Sequence, residues 1–280
     1  MDGAVLVGPV QCEATEGGIG AIAEGKGTAR IRLYGRPMDD LSQAATLLHD
    51  APEARGWNVL GVVWDGIVEA DVLNEEQAHL RHKLADAGKG CDWPTILGIL
   101  REHPRLANTT RLGGKSLYAP LHQAAYSGAP IEVVVEMIRL GAWRTLQNAR
   151  GERAVDVAQR RGHKEIVRTL LPVLQRKVPH GILARVQAHF HSVIRGRASG
   201  TPYMSALRLP ELEPLLELGT GSEPVWFAVP GMYGGFVYHL RNDGVEAVLI
   251  SESWSRVVGG SGQRHEITSA GSRLVAEGFV

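Results

Sequence analysis

The spacing of apolar residues along the chain changes character three times, and each change predicts a different kind of unit. Over residues 1–74 glycine is frequent and the apolar runs are short and strand-like, with 29–34 (Ala-Arg-Ile-Arg-Leu-Tyr) and 59–64 (Val-Leu-Gly-Val-Val-Trp) flanking one helical stretch at 38–51. Pro37, Asp39 and Asp40 supply a helix start whose acids complement the helix dipole. This reads as a small α+β unit. From residue 75 to 178 the apolar period moves to about 3.6, in pairs of short helices. The first pair covers 77–87 and a helix opening at Trp93 behind the N-cap Asp92, and the next pair contains 131–142 as its second helix. Beyond 178, one amphipathic helix (180–195) carries Ile182, Leu183, Val186, Phe190 and Ile194 on a single stripe. An acidic helix over 207–218, broken at Pro210 and Pro214, is expected next. Strands at 225–229, 235–240 and 247–254 then predict an antiparallel meander, with Asn242-Asp243-Gly244 as a hairpin turn.

Within the helical region one segment repeats. Ala119-Pro120-Leu121-His122-Gln123-Ala124-Ala125-Tyr126-Ser127-Gly128 sets proline at an early helical position, where its missing N–H costs nothing, turns Leu121 and the two alanines inward, and stops at glycine. Gly162 closes a second copy beginning at Arg153, 34 residues after Gly128, with Ala154 in place of proline and Asp156 in place of histidine. A period near 33 with this first-helix pattern resembles the ankyrin repeat. The resemblance implies a short stack of two to three repeats over 75–178, the first of them a degenerate cap. In that family the histidine at the position of His122 bonds to turn backbone between repeats. A stack this short is marginal alone, so the flanking segments are expected to dock on it. The fold class expected is therefore α+β and multidomain: a unit at 1–74, ankyrin repeats at 75–178, and helices plus an antiparallel sheet at 179–280. The region 207–280, with its Val-Pro-Gly-Met-Tyr-Gly-Gly strand and Val-Val-Gly-Gly-Ser-Gly-Gln-Arg-His segment, also resembles the tail of some bacterial ankyrin-repeat proteins, which implies a family and no reaction.

Composition narrows the partners. Lys+Arg and Asp+Glu each number 30 in 280 residues, so no net field attracts nucleic acid or an anionic membrane surface. Cys12 and Cys91 lie far apart with no Cys-x-x-Cys frame, which fits a reducing compartment. With no leader-like opening and no run of about 20 apolar residues, a cytoplasmic location is expected, and the excess of arginine over lysine is compatible with a bacterial source.

Two kinds of site follow. As an ankyrin-type interaction module, the chain would hold a protein partner through the concave face and finger loops, with Arg111, Lys115, Tyr118, Trp143, Arg144, Arg150 and Arg153 as contacts and an exposed Trp143 as the anchor. The alternative is a small-molecule enzyme or sensor with the repeats as scaffold. Its pocket would gather Tyr233, Trp254, Arg256, Arg264, His265 and Glu266 beside the flexible Gly259-Gly260-Ser261-Gly262 loop, His265 or Glu266 acting as acid or base. That loop lacks the Gly-Lys-Ser/Thr of a phosphate-binding P-loop, and Gly17-Gly18-Ile19-Gly20 misses the dinucleotide spacing. His79 and His82 lie three apart on a helix without a carboxylate or thiol partner, so neither a metal nor a cofactor is assigned.

Overall fold

A computed structural model describes residues 20–24, 28–32, 62–219, 221, 224–255 and 260–278. Strand β1 (Gly20–Glu24) pairs antiparallel with β2 (Thr28–Arg32), the latter overlapping the strand expected at 29–34. The helix expected at 38–51 and most of the strand expected at 59–64 lie outside the described residues.

Seven α-helices follow among the described residues. Helix α1 (Glu75–Lys89) starts in a reciprocal cap: Gln77 N–H donates to Asn74 Oδ1 at 2.8 Å, and Asn74 N–H donates back to the Gln77 side chain. Helix α2 (Trp93–Glu102) starts at Asp92, whose carboxylate accepts from Thr95 N–H. Helices α3 (Pro120–Ser127) and α4 (Ile131–Arg139) form one antiparallel pair, α5 (Ala154–Arg161) and α6 (Lys164–Leu170) the next. The two pairs end their first helices alike, with Gly128 and Gly162 in the left-handed conformation. At Gly128 a Cβ would also stand 2.5 Å from the His163 ring, so glycine is required twice over.

The 34-residue offset is carried by equivalent bonds. His122 Nδ1 accepts from Ala119 N–H at the start of α3, while its Nε2 reaches the carbonyl of Glu152 at 3.2 Å. Thirty-four positions on, Asp156 accepts from Arg153 N–H at 2.8 Å, so a carboxylate does the same capping work where histidine is absent. A buried core runs through these pairs, built on Ile96, Leu100, Leu121, Ala124, Val134, Met137, Val157, Ala158 and Leu170.

Helix α7 (His180–Arg197) buries Leu183, Val186, Phe190, Val193 and Ile194, close to the stripe read from the sequence. It packs across one face of a five-stranded antiparallel meander: β3 (Val225–Val229), β4 (Gly234–Leu240), β5 (Leu249–Ser255), β6 (Ser261–Thr268) and β7 (Gly271–Glu277), in that spatial order. The Gly234-Gly235 pair has a packing reason, since a Cβ at Gly235 would meet Phe227 O at 2.2 Å and press on Trp226. Trp226 lies stacked on Trp254, ring centroids 4.9 Å apart.

One expectation needs correction. Residues 207–218 form no α-helix; only Glu213–Leu216 makes a 3-10 turn. Pro210 and Pro214 remove backbone donors at four-residue spacing, and the peptide instead bonds outward, Leu212 N–H donating to Gln187. Asn242-Asp243-Gly244 lies in the connection of the β4–β5 hairpin, which is longer than a tight turn: Arg241 N–H bonds to Val248 O, and Asp243 pairs with the buried Arg176 guanidinium at 2.5 Å. The expectation of flanking segments docked on the helix pairs corresponds to a shared core, in which Ala119, Trp143 and Leu146 pack with Trp64, α7 residues and the inner face of the sheet.

His122 makes the first pair sensitive to acid. It is almost wholly buried, and burial holds its imidazole down to about 4 despite the stabilising contact with Glu152 O. Unfolded histidine titrates near ~6.5, so between these values the unfolded chain binds the extra proton. Stability is complete above about pH 6.5 and is lost as pH falls toward 4. Urea titrations across this window are expected to lose on the order of 3 kcal/mol, a slope that His122→Gln should flatten; an unchanged slope in the variant would assign the acid sensitivity elsewhere.

Candidate functional site

The loops joining one helix pair to the next project as fingers, and their tips do not all face solvent. Asn148 Oδ1 accepts from the N–H groups of Arg150 and Glu152, folding the second finger, and Ala149 N–H bonds to Ser116 O of the neighbouring one. Against this finger lies the segment 207–218. Glu217 accepts from both Thr145 N–H (2.8 Å) and Thr145 Oγ1 (2.7 Å), Glu211 from Gln147 N–H (3.1 Å), and Glu213 from the Gln147 amide and the Arg153 guanidinium.

Trp143 is therefore an internal residue, which corrects its assignment as an exposed anchor. Only 8% of it is accessible, and its indole stacks on Trp64 at 5.7 Å with 14° between the planes. Arg208 lies over the Trp64 ring and completes the stack. Arg144 and Arg153 are likewise spent inside the molecule, on Thr169 O and Glu213. Arg111 pairs with Asp86 at the surface. Lys115 and Arg150 are exposed finger cations whose side chains make no hydrogen bond or salt bridge among the described residues.

The seventh finger residue, Tyr118, leads to a surface the sequence reading missed. Tyr118 meets Tyr126 edge-on at 6.1 Å, Arg160 donates to its hydroxyl at 3.2 Å, and Arg161 lies 4.3 Å over the Tyr126 ring. Tyr126 is 41% exposed. The positions follow from helix geometry: Leu121, Ala124, Ala125, Val155, Val157 and Ala158 point into the core, so Tyr126, Arg160 and Arg161 fall on the outward side of α3 and α5. Arg160 also pairs with Glu152, whose carboxyl is held down to about 2, first by that guanidinium and then by the Asn148 amide. Beside this face, Arg81, Thr109, Tyr118 and Gln123 line a cleft of about 10 Å³, the size of one water.

In the sheet the second predicted cluster is divided. Adjacent strand residues alternate faces, so His265 points to the side covered by α7 while Arg264 and Glu266 point to the other, with Trp254. Arg256 lies outside the described residues, and Tyr233 stands in the β3–β4 turn with a left-handed φ of 50°, 42% exposed. On the outer face charge is already balanced. Glu266 pairs with Arg241 and Arg273, both at 2.6 Å, and these bonds hold its carboxyl below the usual carboxylate range, which suits an ion-pair partner better than a general acid. Among the described residues the expected cluster is therefore split between the two faces of the sheet.

The α7-facing side holds a different group. Arg197 Nε donates to Ser253 Oγ at 3.1 Å, and its Nη2 to Ser261 O and Oγ. His265 stands cross-strand from Ser251, and burial, then the Arg197 charge, lowers its imidazole pKa. The signal available in the sequence was the run Ser251, Glu252, Ser253, Trp254, Ser255, where every second residue is serine on a strand otherwise buried.

No protein-family model matches the chain. A stretch of 89 residues, 32% of this chain, is 35% identical to the probable E3 ubiquitin-protein ligase XBOS32 of Oryza sativa subsp. japonica, and it spans 17% of that protein's length.

Replacing Trp143 by alanine separates an internal from an exposed role. About 3 kcal/mol or more of unfolding free energy should be lost, from the cavity and the broken stack, whereas Arg150→Ala should stay within roughly 0.5 kcal/mol. Equal small effects in denaturant titrations would return Trp143 to the surface.

Proposed function

We propose that the chain is an ankyrin-type protein-interaction module whose contact surface is the outward face of the first helices, Tyr118, Tyr126, Arg160 and Arg161, extended by Lys115 and Arg150 at the fingers. The ankyrin reading is supported by the 34-residue offset between Gly128 and Gly162, their shared left-handed caps, and the His122 bond that ties a helix start to the next finger. The interaction reading rests on one observation: an exposed tyrosine stacked under an arginine, on the side of α3 and α5 that faces away from their core. Tyrosine and arginine are the residue types that dominate binding hot spots, because they offer large contact area and directional donors together. Two rigid helices hold this pair, so little side-chain freedom is lost on association.

The partner proposed is a protein, a reading that the mixed charge of the face supports. Arg160 is balanced by Glu152 and Arg111 by Asp86, which leaves no uniform positive field of the kind nucleic acid needs. No helix of the described residues is long and apolar enough to cross a membrane.

Affinity capture from cells of the source organism tests the reading with two pairs of substitutions. The Tyr126→Ala/Arg161→Ala variant should lose a partner that the intact chain retains, with circular dichroism unchanged. Loss only in Lys115→Ala/Arg150→Ala would move the contact to the finger tips, and a partner indifferent to both pairs, or no partner, would overturn the proposal.

A further inference from the structure

The cluster beneath α7 is built like a site and is incomplete as a structure. Buried polar groups in native proteins are nearly always satisfied, because each orphan forfeits its hydration without return. Here two are not: Ser251 Oγ, in a residue only 1% exposed, and His265 Nδ1 have no hydrogen-bond partner among the described residues. They occupy directly opposed positions on β5 and β6, which sets their Cβ atoms about 5 Å apart on the face that α7 covers. A cation stands beside these two. Arg197, half-buried, places Nε and Nη2 on Ser253 and Ser261 and makes no ion pair among the described residues. Burial pulls this guanidinium below its ordinary pKa, the expected consequence of a cation set against a sheet without a counter-charge.

What would complete the group is decided by its chemistry. The free functions are a fixed positive charge, a hydroxyl that can donate, and an imidazole nitrogen that can donate in one tautomer. A metal ion is repelled by the arginine, and an apolar ligand leaves every orphan in place. An anionic oxygen acceptor satisfies all three, and arginine with hydroxyl groups is the donor set that carboxylate and phosphate both select. Along β5, Ser251 and Ser253 are separated by about 7 Å, a span one such group bridges. His265, Gln263 and Ser261 retain partial solvent exposure, so the cluster can be reached from the β6 side.

We infer that the space between the end of α7 and strands β5 and β6 is a binding site for a small oxyanion, a carboxylate or phosphate group, held by Arg197 with Ser251, Ser253, Ser261 and His265. This site is independent of the protein-interaction face, since it lies on the sheet and uses none of the helix-pair residues. Glu277 stands opposite Gln263 on the same sheet face and makes no ion pair, so it is the anionic group that an incoming ligand would meet.

The test is nuclear magnetic resonance of the full chain labelled in its histidines, with the His265 ring signal identified by His265→Gln. Inorganic phosphate, acetate and chloride are titrated separately at constant ionic strength. A saturable shift of the His265 signal with phosphate or acetate, absent with chloride, is expected, and whichever of the two oxyanions saturates at lower concentration names the class of headgroup. Ser251→Ala deletes a hydroxyl that bonds to nothing in the structure, so it should leave the unfolding midpoint unchanged or higher while weakening binding roughly tenfold, the worth of a charged hydrogen bond. Arg197→Gln should abolish saturation, Arg197→Lys should restore part of it, and Glu277→Gln should tighten binding at least twofold. No saturable shift with either oxyanion, or the same affinity in Ser251→Ala and Arg197→Gln as in the unchanged chain, overturns the inference.

Discussion

Three carboxylates on one short segment, Glu211, Glu213 and Glu217, tie the C-terminal part to the helix pairs beside the shared apolar core. Glu211, Glu213 and Glu217 lie at intervals of two and four residues between prolines, and each reaches a different donor of the second finger loop: Gln147 N–H, the Gln147 amide with Arg153, and the Thr145 N–H and hydroxyl. A finger loop exposes backbone N–H groups that no helix or sheet absorbs, and burial of those groups without acceptors would cost about 1–3 kcal/mol each. A proline-stiffened acidic strap meets that demand because its carboxylates present acceptors to those donors. Arg208 closes the strap from the other side, bonding Glu211 and Gln147 O and lying over Trp64. The Trp64–Trp143 stack and the shared core beneath follow from this contact, since the strap brings α7 and the sheet against Ala119, Trp143 and Leu146.

The same constraint redistributes the surface. Finger residues that bond to the strap are withdrawn from any outside partner, which removes Trp143, Arg144 and Arg153 from the list of free contacts. What the strap does not reach is the outward side of α3 and α5, where Tyr126 and Arg161 stack against one another in solvent. A stack of so few helix pairs thus divides its two exposed surfaces: the loop carrying Thr145, Gln147 and Arg153 is spent on internal support, and the first-helix face is left over. The division has a stability logic, because so few helix pairs bury too little apolar surface to stand without such support.

Local signals in the chain were legible wherever chemistry and geometry act over a few residues. The caps at Asp92, Gly128 and Gly162, the apolar stripe of α7, and the strands β3 and β4 all rest on short-range rules of that kind. The errors arose where a distant partner decides. A tryptophan at a loop tip reads as exposed until Trp64, 79 positions away by their residue numbers, supplies its stacking partner. The acidic stretch at 207–218 carries helix-like apolar spacing, yet its glutamates find better acceptor roles on the finger than a helix broken by two prolines could offer. In the sheet, grouping Arg264, His265 and Glu266 by sequence proximity ignored the period of two, which sends neighbours to opposite faces. Arg197 and Ser251 were invisible as a pair because they are joined only by the crossing of α7 over β5.

That crossing gives the sheet two faces with opposite electrostatic character. On the outer face each cation has a carboxylate close by, Arg241 and Arg273 on Glu266 and Arg264 on Glu252, and the charges cancel where water screens them anyway. On the inner face the order is reversed: the apolar half under Phe190 and Phe236 is closed, while the half under Arg197 keeps a positive charge without an ion pair and, among the described residues, a Ser251 hydroxyl and a His265 nitrogen without partners. A sheet selected only to support the helix pairs would more simply continue Leu249 and Ile267 outward with further apolar residues, since an uncompensated polar cluster is worse for stability than either a complete network or an apolar core. The strand pairing that sets Ser251 opposite His265 on the face beneath α7 therefore carries a cost to the fold. A cost of that kind is sustained where the cluster has something to bind.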